Sequence, residues 1–74
     1  MQRYKNAVES GVQFFNKGKD FIELMFEDGG IYLYDSKKPG KLHVEKMKIL
    51  ADEGSGLNSY INKYVRANFV KKLK

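Results

Sequence analysis

A single histidine, a few serines and a pair of strand carboxylates are the side chains here whose types suit catalysis. Their spacing argues against it in each case. His43 is the only histidine and there is no cysteine. A transition-metal site therefore lacks the N and S donors it needs, and disulfides and thiolate chemistry are absent with the cysteines. His43 falls on the apolar stripe of a helical run and reads as packed or hydrogen-bonded at a core edge. Ser36, Ser55 and Ser59 have no positioned base, and Ser55 reads better as a helix cap. Glu23 and Glu27 share a strand face and have the makings of an acid and base pair, but a solvated strand edge accounts for them. Asp28-Gly29-Gly30 has the glycines of a phosphate loop without the helix that must follow. The residues predict a non-catalytic domain with no metal, no cofactor and no small-molecule substrate.

The chemistry that remains is charge. The chain carries 14 Lys and Arg against 9 Asp and Glu, a net charge of +5. Residues 1–53 hold nine of each sign and sum to zero, so the whole excess sits on residues 54–74, which contain no acid. Such asymmetry marks a polyanion-facing surface or a solubilising tail. On the first reading Lys63, Arg66, Lys71 and Lys72 contact phosphates, joined by Lys37, Lys38 and Lys41 from a basic connector. Phe69 or Tyr4 would then stack on unpaired bases of RNA or another single strand. The rival partner is a protein or a second copy of the chain, held by an apolar sheet face or an open strand edge.

These groups must be held by a small scaffold. At 74 residues the chain forms one domain, residues 1–74, and buries only about 60% of its unfolded surface. It begins without the apolar run of a signal peptide and has no stretch near the roughly 18 apolar residues of a span, so no membrane contact is expected. A reducing, cytoplasmic setting is the expectation.

The element that organises the scaffold lies at residues 21–34, where two aromatic and β-branched runs flank Asp28-Gly29-Gly30 and predict a β-hairpin. Ile22, Leu24 and Phe26 alternate onto one face, which should meet the core. A two-residue turn at Asp28-Gly29 would bring Ile31 and Leu33 beside them. A three-residue loop, Glu27-Asp28-Gly29 with a left-handed Gly29, would bring Tyr32 and Tyr34 instead, and the need for glycine at its last position favours it. Phe21, Met25, Ile31 and Leu33 then share the second face with Glu23 and Glu27.

Before the hairpin, Tyr4, Ala7, Val8, Gly11, Val12 and Phe15 fall at helical spacing, but Gly11 and the Val12-Gln13-Phe14-Phe15 run favour a loosely ordered or short helical 1–10 leading into a strand near 12–16. After it, residues 35–40 form a connector. A helix follows over 41–52, with His43, Val44, Met47, Leu50 and Ala51 inward, Lys46 and Lys48 outward and Gly54 as its stop. Ser55 or Gly56 caps a second helix whose Leu57, Tyr60, Ile61, Tyr64, Val65 and Asn68 share one arc, opposite Ser59, Asn62, Lys63 and Arg66. Residues 69–74 read as a basic tail. Asn58, in the first turn, reads as bonding the 54–56 turn, with a ligand contact beside Tyr32 or Tyr34 as the alternative. The fold class is α+β: a small antiparallel meander of about three strands with two C-terminal helices packed on one face.

The order of these residues resembles the KTSC domain, found at the C-terminus of some lysyl-tRNA synthetases and as stand-alone bacterial proteins. Its Y-x-Y strand matches Tyr32 and Tyr34, and its apolar-x-apolar-x-Phe strand matches Ile22, Leu24 and Phe26. Its G-S-x-(aromatic)-N-x-x-I segment matches Gly54, Ser55, Leu57, Asn58 and Ile61, with Leu57 in place of the aromatic. The likeness covers residues 12–66. It departs at the family's first strand and in the longer connector at 36–40. What the resemblance implies is a role in RNA binding and no catalytic residues.

Overall fold

The computed structural model describes residues 1–74 apart from the side chain of Glu9. Five strands form one sheet in the order β1 (Gln2–Arg3), β2 (Val12–Lys17), β3 (Phe21–Phe26), β4 (Ile31–Asp35) and β5 (Lys71–Lys72), every neighbouring pair antiparallel. Between β4 and β5 run two helices, α1 (Lys41–Glu53) and α2 (Leu57–Tyr60). The sheet thus has five strands rather than about three. The two additions are two-residue edge strands made wholly of polar residues.

The central hairpin turns as its glycine requires. Gly29 stands at φ 87° and its amide bonds the Phe26 carbonyl at 2.8 Å, while the Phe26 amide bonds that of Gly30 at 2.9 Å. Asp28 Oδ1 accepts from the Gly30 amide at 2.8 Å, which fixes the loop through an Asx turn. With three residues in the loop, Leu24 lies opposite Tyr32 and Ile22 opposite Tyr34. This is the register expected from a left-handed Gly29.

In β2 a bulge between Val12 and Phe14 adds one residue. Val12 and Phe15, three apart, therefore both face the core, a spacing that mimics a helix in the sequence. The Gln13 side chain holds the bulge by donating to the carbonyls of Ala7 and Ser10 at 2.8 and 2.9 Å.

Of the two forms expected for residues 1–10 the structure shows the short helix, preceded by an edge strand. Gln2 and Arg3 pair with Phe15 and Phe14, and a 3-10 turn follows at Ala7–Glu9. Tyr4, only 1% exposed, enters the core. Residues 69–74 are no free tail: Lys71 and Lys72 pair with Leu33 and Tyr32, and Phe69 packs on the core.

On the core face α1 buries Val44, Met47 and Ala51, with Leu50 and His43 half-buried, and Gly54 ends it at φ 75°. Lys46 is exposed. Lys48 is not outward: its Nζ donates to the Gly18 and Lys19 carbonyls at 3.1 and 2.9 Å and pairs with Glu45 at 2.9 Å. At the start of α2 the second of the two expected caps is the one used. Gly56 occupies the cap position without a side-chain bond, so Ser55 does not cap, and the Leu57 amide is bonded instead by the Tyr4 hydroxyl at 3.1 Å. Among the described residues no helix is long and apolar enough to cross a membrane.

Candidate nucleic-acid interface

The second helix does not finish as an α-helix. After Tyr60 the chain widens into a π turn at Ile61–Val65, closed by the Arg66 amide on the Ile61 carbonyl at 2.6 Å. A wider turn rotates the following residues away from a 3.6-residue arc. Ile61 and Val65 stay buried, but Tyr64 is 54% exposed and Asn68 is exposed too, so the inward arc expected of all four breaks at its C-terminal end. Arg66 takes φ 35°, the one non-glycine with positive φ among the described residues. Such a backbone costs about 1–3 kcal/mol, and residues held this way cluster at functional sites.

Beside this turn a cleft of about 470 Å³ opens between the hairpin and the helix end. Its hairpin wall is Phe26, Tyr32 and Tyr34 with Glu27 and Asp28, and its helix wall is Ile61, Asn62, Arg66 and Phe69. The aromatic rings meet edge to face, Tyr32 with Phe26 at 5.5 Å and with Phe69 at 4.7 Å between centroids. Lys72 lies over the Tyr32 ring, its Nζ 5.6 Å from the centroid. Tyr34 is 1% exposed, and its hydroxyl has no hydrogen-bond partner among the described protein groups although the residue lines the cleft. Burial, with Tyr32 beside it, pushes that hydroxyl up to about 12, so it is protonated at neutral pH and free to donate.

The cations are free to act. Among the described side chains the ion pairs are Lys17 with Asp52 and Lys48 with Glu45, and none involves Lys63, Arg66, Lys71 or Lys72. These four do not form one patch. Arg66 and Lys72 flank the cleft. Lys63 sits over the Tyr64 ring at 5.3 Å. Lys71, opposite Leu33, points to the second sheet face. Lys37 and Lys38 are exposed in the turn after β4, where their amides bond Asp35 Oδ1 at 2.8 and 3.0 Å. Lys41 is exposed at the start of α1, and none of these three lines the cleft.

The aromatics expected to stack are also redistributed. Tyr4 is buried, and Phe69 presents itself only as a wall of the cleft. Asn58 is not bonded to the 54–56 turn. It lies against Gly11, whose missing side chain leaves room for the Asn58 amide. Among the described residues no cluster of His, Asp or Glu is arranged to hold a metal. His43 is held at the core edge by Tyr60, its Nδ1 2.7 Å from the hydroxyl, and burial and then Tyr64 raise the Tyr60 pKa. Cleft formation was hidden from the sequence because it depends on the π turn, which no residue pattern announced.

No family model matches the chain, and no curated protein or solved structure is detectably similar to it.

Proposed function

We propose that this domain is a non-catalytic module that binds single-stranded nucleic acid, RNA foremost, at the cleft between the hairpin and the π turn. One observation carries the reading: cations without acidic partners flank a cleft walled by aromatic rings. Single-strand binders combine these two features, because phosphates want cations and an unpaired base wants an aromatic face, typically for about 1–3 kcal/mol per base. Arg66 and Lys72 take the phosphates nearest the cleft and Lys63 takes their neighbour, while Lys71, on the second sheet face, stays off the strand. The KTSC resemblance accords with this reading, since its Tyr32, Tyr34 and Ile61 all line the cleft. The remaining motif residues, Gly54, Ser55, Leu57 and Asn58, belong to the scaffold.

The test is a titration of a short U-rich RNA at about 50 and about 200 mM salt. Three phosphate contacts give a log–log slope of about −2.1, or about 20-fold weaker binding at the higher salt. Replacing Arg66 and Lys72 together by Gln cuts the slope to about −0.7. An unchanged slope would remove the cleft as the binding surface.

A second reading rests on the other sheet face. Phe14, Met25 and Ile31 form one row across three strands, and with Phe21 and Leu33 they remain half-buried where neither helix packs. Such a face suits a protein partner or a second copy. Concentration-dependent dimerisation that Met25→Lys abolishes would support it.

A further inference from the structure

The cleft is not uniformly basic, and its asymmetry says which base it takes. On the hairpin wall stands Glu27, exposed, its backbone amide held by the Gly11 carbonyl at 2.8 Å. Its carboxylate has no ion-pair or hydrogen-bond partner among the described groups. Its neighbour Asp28 already spends one oxygen on the Gly30 amide. On the helix wall stands the Arg66 guanidinium, also unpaired. Tyr34, itself 1% exposed, lines the cleft between these two walls. A carboxylate offers two acceptor oxygens and a guanidinium offers paired donors.

Resting on the proposed single-strand function, we infer that this cleft recognises an unpaired guanine. Guanine alone among the four bases presents both complements. Its N1–H and N2–H donors lie side by side for the Glu27 carboxylate, and its O6 and N7 acceptors lie side by side for two N–H groups of Arg66, a pairing that recurs in base readout, while the other guanidinium donors stay on the phosphate. Uracil sets one N–H between two carbonyls, which a carboxylate repels. Cytosine offers a single amino group beside an acceptor. Adenine has an amino donor beside N7 and no paired acceptors for the guanidinium. Tyr34 is left to meet the sugar or a base edge. At about 470 Å³ the cleft falls within the roughly 300–1,000 Å³ of small-ligand sites, room for one nucleotide rather than a run of bases. Lys63, outside it, holds the strand beside it.

The experiment titrates U-rich strands that differ at one central position, G, A, C or U, against the wild type and Glu27→Gln. The G strand is expected to bind about 10-fold tighter than the others, the lower part of the range for a two-point base contact. Glu27→Gln should erase that preference and leave the salt slope unchanged, since no phosphate contact is lost. Equal affinity for all four strands with a normal salt slope would overturn the guanine assignment and leave single-strand binding standing. Absence of salt-dependent binding to any strand would overturn both. Free guanosine monophosphate serves as competitor: displacement at the strand's own concentration would overturn the single strand as the source of the base.

Discussion

The Tyr4 hydroxyl bonds the Leu57 amide across 53 positions of chain, so the first ordered residues cap the second helix. The amides of a helix's first turn have no partner inside the helix, and Gly56 brings no side chain to supply one. Tyr4 therefore ties the N-terminal edge of the sheet to the element that ends in the π turn. Tyr4→Phe should cost about 1–2 kcal/mol, because a buried amide loses its acceptor, and Tyr4→Ala about 3–5 kcal/mol. Urea denaturation of both variants measures the difference.

Two left-handed glycines separate backbone cost from packing. At Gly29 an added methyl group meets nothing, so Gly29→Ala should lose only the conformational term, about 1–2 kcal/mol. At Gly54 the same methyl group runs into the base of the Lys5 side chain, so Gly54→Ala should lose that term and more. Equal losses in thermal or urea unfolding would contradict the close approach of residues 5 and 54.

Arg66 offers the opposite case. Its φ of 35° is unfavourable for any side chain, and glycine accepts positive φ freely. Arg66→Gly should hold or raise stability, by up to about 1 kcal/mol, while weakening RNA binding. A loss of stability together with affinity would mean that Arg66 serves the fold and not the strand.

The pKa of Tyr34 sets an alkaline limit. In the unfolded chain its hydroxyl titrates near 10.0, and in the folded protein burial holds it up to about 12. Its contribution to stability is complete below the lower value and is lost as pH rises through the upper one, because between them the unfolded state binds fewer protons. Ultraviolet titration of the phenolate should show a tyrosine ionising near 12, and unfolding free energy should fall between those two values.

The reach of sequence reading follows from where information is stored. The hairpin register was legible because Gly29 restricts the loop to one geometry, and that placed Tyr32 and Tyr34 on the core face. The stripe of α1 was legible through Val44, Met47 and Ala51. Strands β1 and β5 were not. Gln2-Arg3 and Lys71-Lys72 carry no alternation, and each pairs through backbone groups that any residue supplies. The bulge at Gln13 disguised a strand as a helical pattern. Of the candidate site, the cations were legible as charge and Tyr32 and Tyr34 as motif. The placing of Arg66 and Glu27 along one cleft was not, since one follows a π turn and the other lies in the hairpin loop.

Amide shifts in a two-dimensional NMR titration with a U-rich strand containing one central G test the central claim most directly. Perturbations should gather at Phe26, Glu27, Tyr32, Asn62, Arg66, Phe69 and Lys72, leaving Phe14, Phe21 and Met25 unmoved. Shifts confined to those last three, or none at all, would contradict the account.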